Sequence, residues 1–175
     1  MSNTGFNNYL DHATDYVLAN HLMLNQASNT TPGMAIKAGS SAIAKFANTV
    51  VSTINGKQYS KSTADAPLCT TYTNAAGATV AATIADDYKA LVAFFLDASG
   101  NVTADMTIPV AYDSTAAIYL PKFADTKVCI GAVLIKNESG ALFTNATTPL
   151  DKTGVTTTYY NFAKSFPLME VVAAS

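Results

Sequence analysis

Tryptophan is missing from this chain, histidine and cysteine each occur twice, and charged residues fill only 13% of the 175 positions. Each shortage narrows what the chain can do. Its aromatic residues are nine tyrosines and eight phenylalanines, which argues against a typical sugar-stacking platform; such residues more often fill cores and interfaces. Ten Lys and Arg against twelve Asp and Glu leave a net charge of −2, too little cation to neutralise a series of phosphates, so nucleic acid is not an expected partner. No stretch approaches the roughly 18 apolar residues that a membrane span needs. The opening "MSNTGFNNYL" has neither the basic segment nor the apolar run of a secretory leader. Asn29, Asn101, Asn137 and Asn145 stand in N-x-[ST] triplets, which without secretion are chance matches.

The residues that carry chemistry are equally sparse. His12 and His21 lie nine positions apart, on different faces of a helix, and not at the i, i+4 spacing that shares a metal. Cys69 and Cys129 belong to no CxxC pair; they read as two reduced, half-buried thiols of a cytosolic product, with a disulfide between them as the alternative. Asp86 and Asp87 are adjacent, so their side chains point apart and mark a polar turn before a strand that starts at Tyr88. Asp97, Asp105 and Asp113 lack the dense loop spacing of a calcium site. There is no G-x-S-x-G elbow and no phosphate-cradling Gly-Lys-Ser/Thr loop. The expectation is a protein without catalytic residues, metal or cofactor. A surface this poor in charge suits assembly better than a free monomer.

What is present is patterned. Residues 6–24 place Phe6, Tyr9, Leu10, Ala13, Tyr16, Val17 and Leu24 near the spacing of an amphipathic helix, with Thr4 as a candidate N-cap. One such helix cannot bury its own stripe, so these seven residues are the expected assembly interface. The organisation predicted is a helical arm over 1–27, a linker over 28–33 containing Pro32 and Gly33, and a β-domain over 34–175. Within that domain "STINGKQYSKS" predicts a hairpin whose type I′ turn is Asn55-Gly56. Pro67 then takes "TADAPL" out of the sheet, and "KSTADAPL" is expected to be a surface loop. A second hairpin is read as a strand at 88–96, a turn at 98–101 and a return at 102–108. A third is a strand at 127–136, a turn at 138–140 and a short return ending at Phe143.

In the strand at 127–136, Val128, Ile130, Ala132 and Leu134 are expected on one face, and Cys129, Gly131, Val133 and Ile135 on the other. Both faces are apolar, so the strand is expected to be central, with Gly131 marking a bulge or a close backbone approach. Two last strands, broken before Pro167, complete the pattern. Regularly spaced strands with short turns favour a mainly β fold, a β-sandwich or jelly-roll-like domain behind the helical arm.

Taken together, "MSNTGFNNYLDHATDYVLAN", "IKAGSSAIAKFANTVVSTINGKQYSKSTADAPL", the "ASGNVT" hairpin, the Leu120-Pro121 turn, the "IGAVLIKN" strand and "ALFTNATTPLD" resemble small virion structural proteins of tailed bacteriophages. The chain departs from that pattern at Asn145-Ala146, where a glycine is expected. The resemblance implies a capsid cement or decoration protein, acting as a homotrimer on the major capsid protein or another virion protein. It would be made in the host cytoplasm and located in the virion. A head-fibre or tail-associated protein is the alternative, and a host- or carbohydrate-binding module a more distant one.

Overall fold

The computed structural model describes residues 26–28, 30, 32–121 and 123–162. Among these the regular structure is entirely β, in several antiparallel sheets. The first strands in the chain are β1 (Gln26–Ser28), β2 (Met34–Ile36), β3 (Ile43–Phe46), β4 (Val50–Ile54), β5 (Lys57–Lys61) and β6 (Ala64–Pro67). Three short strands follow, β7 (Thr71–Thr73), β8 (Thr79–Ala81) and β9 (Thr83–Ile84), and then the much longer β10 (Tyr88–Asp97). The remainder are β11 (Val102–Met106), β12 (Val110–Ala111), β13 (Lys127–Asn137), β14 (Phe143–Thr144) and β15 (Val155–Asn161).

The centre is the pairing of β10 with β13, flanked by β11 and β12 on one side and β15 on the other. Both central strands are buried along almost their whole length, as expected for apolar runs covered on two faces. On β10, Ala90, Val92, Phe94 and Leu96 face one core and Leu91, Ala93 and Phe95 the other. The larger core is closed by Phe46, Val50 and Ile54 from the small sheets, with Ile84, Phe143 and Leu150. The smaller lies under a single irregular segment that contributes Ile118, Leu120 and Phe123, together with Phe162. Phe123 rests on Phe95 with ring centroids 4.9 Å apart.

Strand β13 is central and doubly covered as expected, but its faces do not alternate as simple counting predicts. Phe94 pairs with Gly131 while the next residue, Phe95, pairs with Cys129, so Ile130 is one residue too many. This bulge changes the phase of the strand. Val128 and Ile130 share the larger core with Val133 and Ile135, whereas Ala132 and Leu134 face the smaller core beside Cys129. Gly131 also lies under a close approach: a Cβ there would come within 2.7 Å of Met34 Cγ and 2.8 Å of the Tyr160 carbonyl oxygen. Both roles anticipated for this glycine are therefore met.

The turn chemistry is direct. Asn55 and Gly56 both take positive φ, 50° and 73°, which is the type I′ geometry that joins β4 to β5. At the β10–β11 turn the Asp97 carboxylate accepts from the backbone N–H of Ser99 and of Asn101, both at 2.8 Å. Those bonds, chiefly from Asn101, hold its pKa below the usual value of 3.8. Asp86 and Asp87 form the expected turn: the Asp86 carboxylate accepts from Gly140 N–H at 2.8 Å, and Asp87 N–H donates to the Asn137 carbonyl at 2.8 Å.

Three local expectations need correction. "TADAPL" does not stay outside the sheets: Ala64–Pro67 is β6, the edge strand of the β2-β3-β6 sheet, where a proline without an N–H is tolerated. "KSTADAPL" is accordingly no free surface loop, because Ala66 and Leu68 are core residues. The return after β13 does not fold back on it; Phe143–Thr144 pairs with Thr83–Ile84. The reason is Asn137, fully buried, whose Nδ2 donates to the Ile84 and Ala141 carbonyls at 3.0 and 2.8 Å. It ties the outgoing chain to β9 instead. At the N-terminal end, Gln26–Ser28 pairs with β4 across the point where arm and linker were expected to meet. Phe6, Tyr9, Leu10, Ala13, Tyr16, Val17 and Leu24 lie outside the described residues, as do His12, His21 and the last strand expected around Pro167.

Two substitutions test this account. Gly131→Ala forces a methyl group against a backbone oxygen in the centre of the sheet and is expected to cost about 1–3 kcal/mol, read as a lower denaturation midpoint. Ala146 occupies the left-handed region at φ 59°, the place where the resemblance calls for glycine. Ala146→Gly relieves that strain, about 1–2 kcal/mol, against a smaller entropic cost in the unfolded chain, so the midpoint should rise.

Candidate binding surface

The five-stranded sheet presents one marked irregularity to solvent. Met106 ends β11 opposite Val92, and β12 resumes with Val110 opposite Lys89. Between them Thr107 holds the ladder, its N–H donating to the Leu91 carbonyl at 2.9 Å and its hydroxyl accepting from Leu91 N–H at 3.0 Å. Pro109 has no N–H to offer, so the chain bows away from β10 there. Ile108 is left 46% exposed.

The segment that roofs the smaller core meets this bow from the other side. It is fastened by Tyr112 N–H to the Asp87 carbonyl at 2.7 Å, and by the buried Lys89 ammonium to the Ser114 carbonyl at 2.7 Å. Lys136 sits 5.1 Å over the Tyr112 ring, a cation–π contact. Farther along, Ile118 turns into the core and Tyr119 turns outward, 69% exposed. Between Ile108 and Tyr119 lies an open groove of about 490 Å³, floored by Met106, Val110 and Ile118 and rimmed by Thr73, Asp105 and Pro121. Asp105 is held locally, its Oδ1 accepting from Met106 N–H at 2.8 Å.

The groove is mainly apolar, with Thr73, Asp105 and Thr107 as polar lining. Among the described residues no three of His, Cys, Asp and Glu come together as a metal-binding group. Asp97, Asp105 and Asp113 are not gathered. Cys69 and Cys129 are not joined in a disulfide. Burial is the main cause that pushes the Cys69 pKa up to about 11 and the Cys129 pKa up to about 12, so both stay protonated near neutral pH. Cys69 lies beside Asn145, whose Nδ2 is 3.6 Å from its Sγ and 3.5 Å from Met106 Sδ. Asn137 and Asn145, two of the four triplet asparagines, are core residues.

Sequence reasoning missed the groove. It lies where residues 107–109 and 117–121 meet, and only the proline in "TIPV" and the Leu120-Pro121 pair hint at irregular chain in these places. Tyr72, Tyr159 and Tyr160 are only partly exposed. No protein-family model, curated protein or solved structure matches this chain.

The thiols supply a test. Moving the Cys69 pKa from 9.0 to about 11 removes about a hundredfold of thiolate at pH 8. Alkylation of Cys69 should therefore be at least that much slower in the folded chain than in denaturant. Equal rates would show that the thiol is not shielded.

Proposed function

We propose that this chain is a structural protein of a tailed-bacteriophage virion, a cement or decoration protein that stabilises the shell through contacts with the major capsid protein and with copies of itself. The observation that carries the reading is the exposed apolar groove between Ile108 and Tyr119, on a surface poor in charge. An apolar groove of this kind is suited to burial against another protein. The hairpins at Asn55-Gly56 and at residues 98–101, which carry part of the resemblance, support it. In this reading the domain is a β-sandwich or jelly-roll-like unit, with the five-stranded sheet as one layer and the β1-β4-β5 and β2-β3-β6 sheets contributing to the other. The stripe through Phe6, Leu10, Val17 and Leu24 would belong to a helical arm that adds a second point of attachment, and two weak contacts multiply by avidity.

A head-fibre or tail-associated protein would differ in location rather than in fold. One feature favours a carbohydrate-binding module: the Tyr119 ring stands exposed beside Thr73, Asp105 and Thr107, an aromatic face with polar neighbours.

Reconstruction of particles that contain the chain decides among these. Density on the shell lattice supports the cement reading, density on fibre or tail moves the protein there, and absence from particles overturns the proposal. Replacing Ile108 and Tyr119 together by Asp should lower particle occupancy about tenfold or more, while the melting midpoint stays close to wild type because both side chains are exposed. Deleting residues 1–25, which leaves β1 intact, should also abolish attachment. Saturable sugar binding lost with Tyr119→Ala would favour the carbohydrate reading instead.

A further inference from the structure

Strand β15 is an edge of the five-stranded sheet, and the ladder on its inner side fixes which of its groups face outward. Glu138 N–H donates to the Gly154 carbonyl at 2.7 Å and Phe162 N–H to the Ile130 carbonyl at 3.2 Å, in the same register as the Gly131–Asn161 pair. The even-numbered residues of β15 therefore bond to β13. The odd-numbered ones, Thr157, Tyr159 and Asn161, direct their N–H and C=O groups away from β13, and among the described residues no strand pairs with β15 on that side. Strand β2 touches β15 at its Asn161 end, where Met34 N–H donates to Asn161 Oδ1 at 2.6 Å.

Folded proteins blunt such edges with charge, proline or short length. The other long edge strands here do so: β5 carries Lys57 and Lys61, and β11 carries Asp105. The shorter β6 carries Asp65 and Pro67. Strand β15 is seven residues long, "VTTTYYN", with no charge and no proline. The geometry points to pairing of β15 with the β15 of a second copy, antiparallel about a two-fold axis at Thr158, so that two sheets become one.

The sequence fits this occupant. In that register Thr157 faces Tyr159 of the other copy, both outward-bonding residues, so donors meet acceptors on either side of the axis. The next pair, Val155 with Asn161, closes the ladder, since Val155 N–H is already bonded to the Lys152 carbonyl at 2.8 Å. No charge meets its own copy across the axis. Thr158 meets itself in a non-hydrogen-bonded pair and is exposed. A ring of three copies would need two different surfaces to meet; this surface meets itself, so the contact closes at two. It does not depend on the virion reading and is tested in solution without particles.

Sedimentation of the full chain should show a reversible dimer, or an oligomer of even order, by about 100 μM. Thr158→Lys sets two cations at the axis and should weaken the association at least about tenfold, with the circular dichroism spectrum unchanged. In a Cys69→Ser background, Thr158→Cys should form a disulfide-linked dimer on mild oxidation, because the paired Cα atoms fall within bridging distance. Thr156→Cys should not, since its two copies lie about 13 Å apart along the strands. A monomer at that concentration, an oligomer indifferent to Thr158→Lys, or cross-linking at 156 rather than 158 would overturn the proposal.

Discussion

The pairing of β10 with β13 is the constraint from which the rest of the molecule follows. Two strands of ten and eleven residues, apolar on both faces, cannot be left with either face in water. Each face therefore needs a cover, and the covers differ. The larger core receives small sheets with their own turns and registers. The smaller receives one irregular segment, fastened at Tyr112, Ser114 and Phe123. The candidate binding surface lies where that thinner cover meets the sheet edge, so its position follows from the asymmetry of burial.

Within this frame buried polar groups direct the chain. Asn137 makes two bonds to carbonyls and accepts from the Ser139 hydroxyl at 2.7 Å, so an amide in the core is well matched. That match sends the segment after β13 toward β9 rather than back along its own strand. Asn145 is matched less well; its Oδ1 has no partner and its Nδ2 faces two sulfur atoms. The turn it opens is also the one that holds Ala146 at positive φ, so two departures from ordinary chemistry sit side by side.

Local patterns made part of this legible. Asn55-Gly56 encodes its turn because both residues tolerate positive φ, and Asp97 encodes the next because its carboxylate reaches the N–H groups that the turn leaves free. The double burial of β13 was readable from its unbroken apolar run. Its faces were not, because alternation holds only until a bulge, and the bulge at Ile130 depends on pairing with β10. The fate of Ala64–Pro67 depended on a partner, β3, that lies eighteen or more residues earlier in the chain. The groove escaped notice for the same reason: its two sides come from separate segments, and neither is periodic. Of the seven residues expected to carry the interface, none falls within the described part, so the two surfaces developed above came from the three-dimensional arrangement.

The length and greasiness of the central pair also set the order in which the protein has to be made. Strands β10 and β13 are separated by the whole of residues 98–126, and until they meet each is a β-prone segment with a long apolar run, of the kind that aggregates. The hairpin of β10 with β11 needs only a four-residue turn, so it can close first and shelter one side of β10 while the ribosome delivers the rest. Translation speed through residues 98–126 thus becomes a determinant of yield, quite apart from the stability of the finished fold.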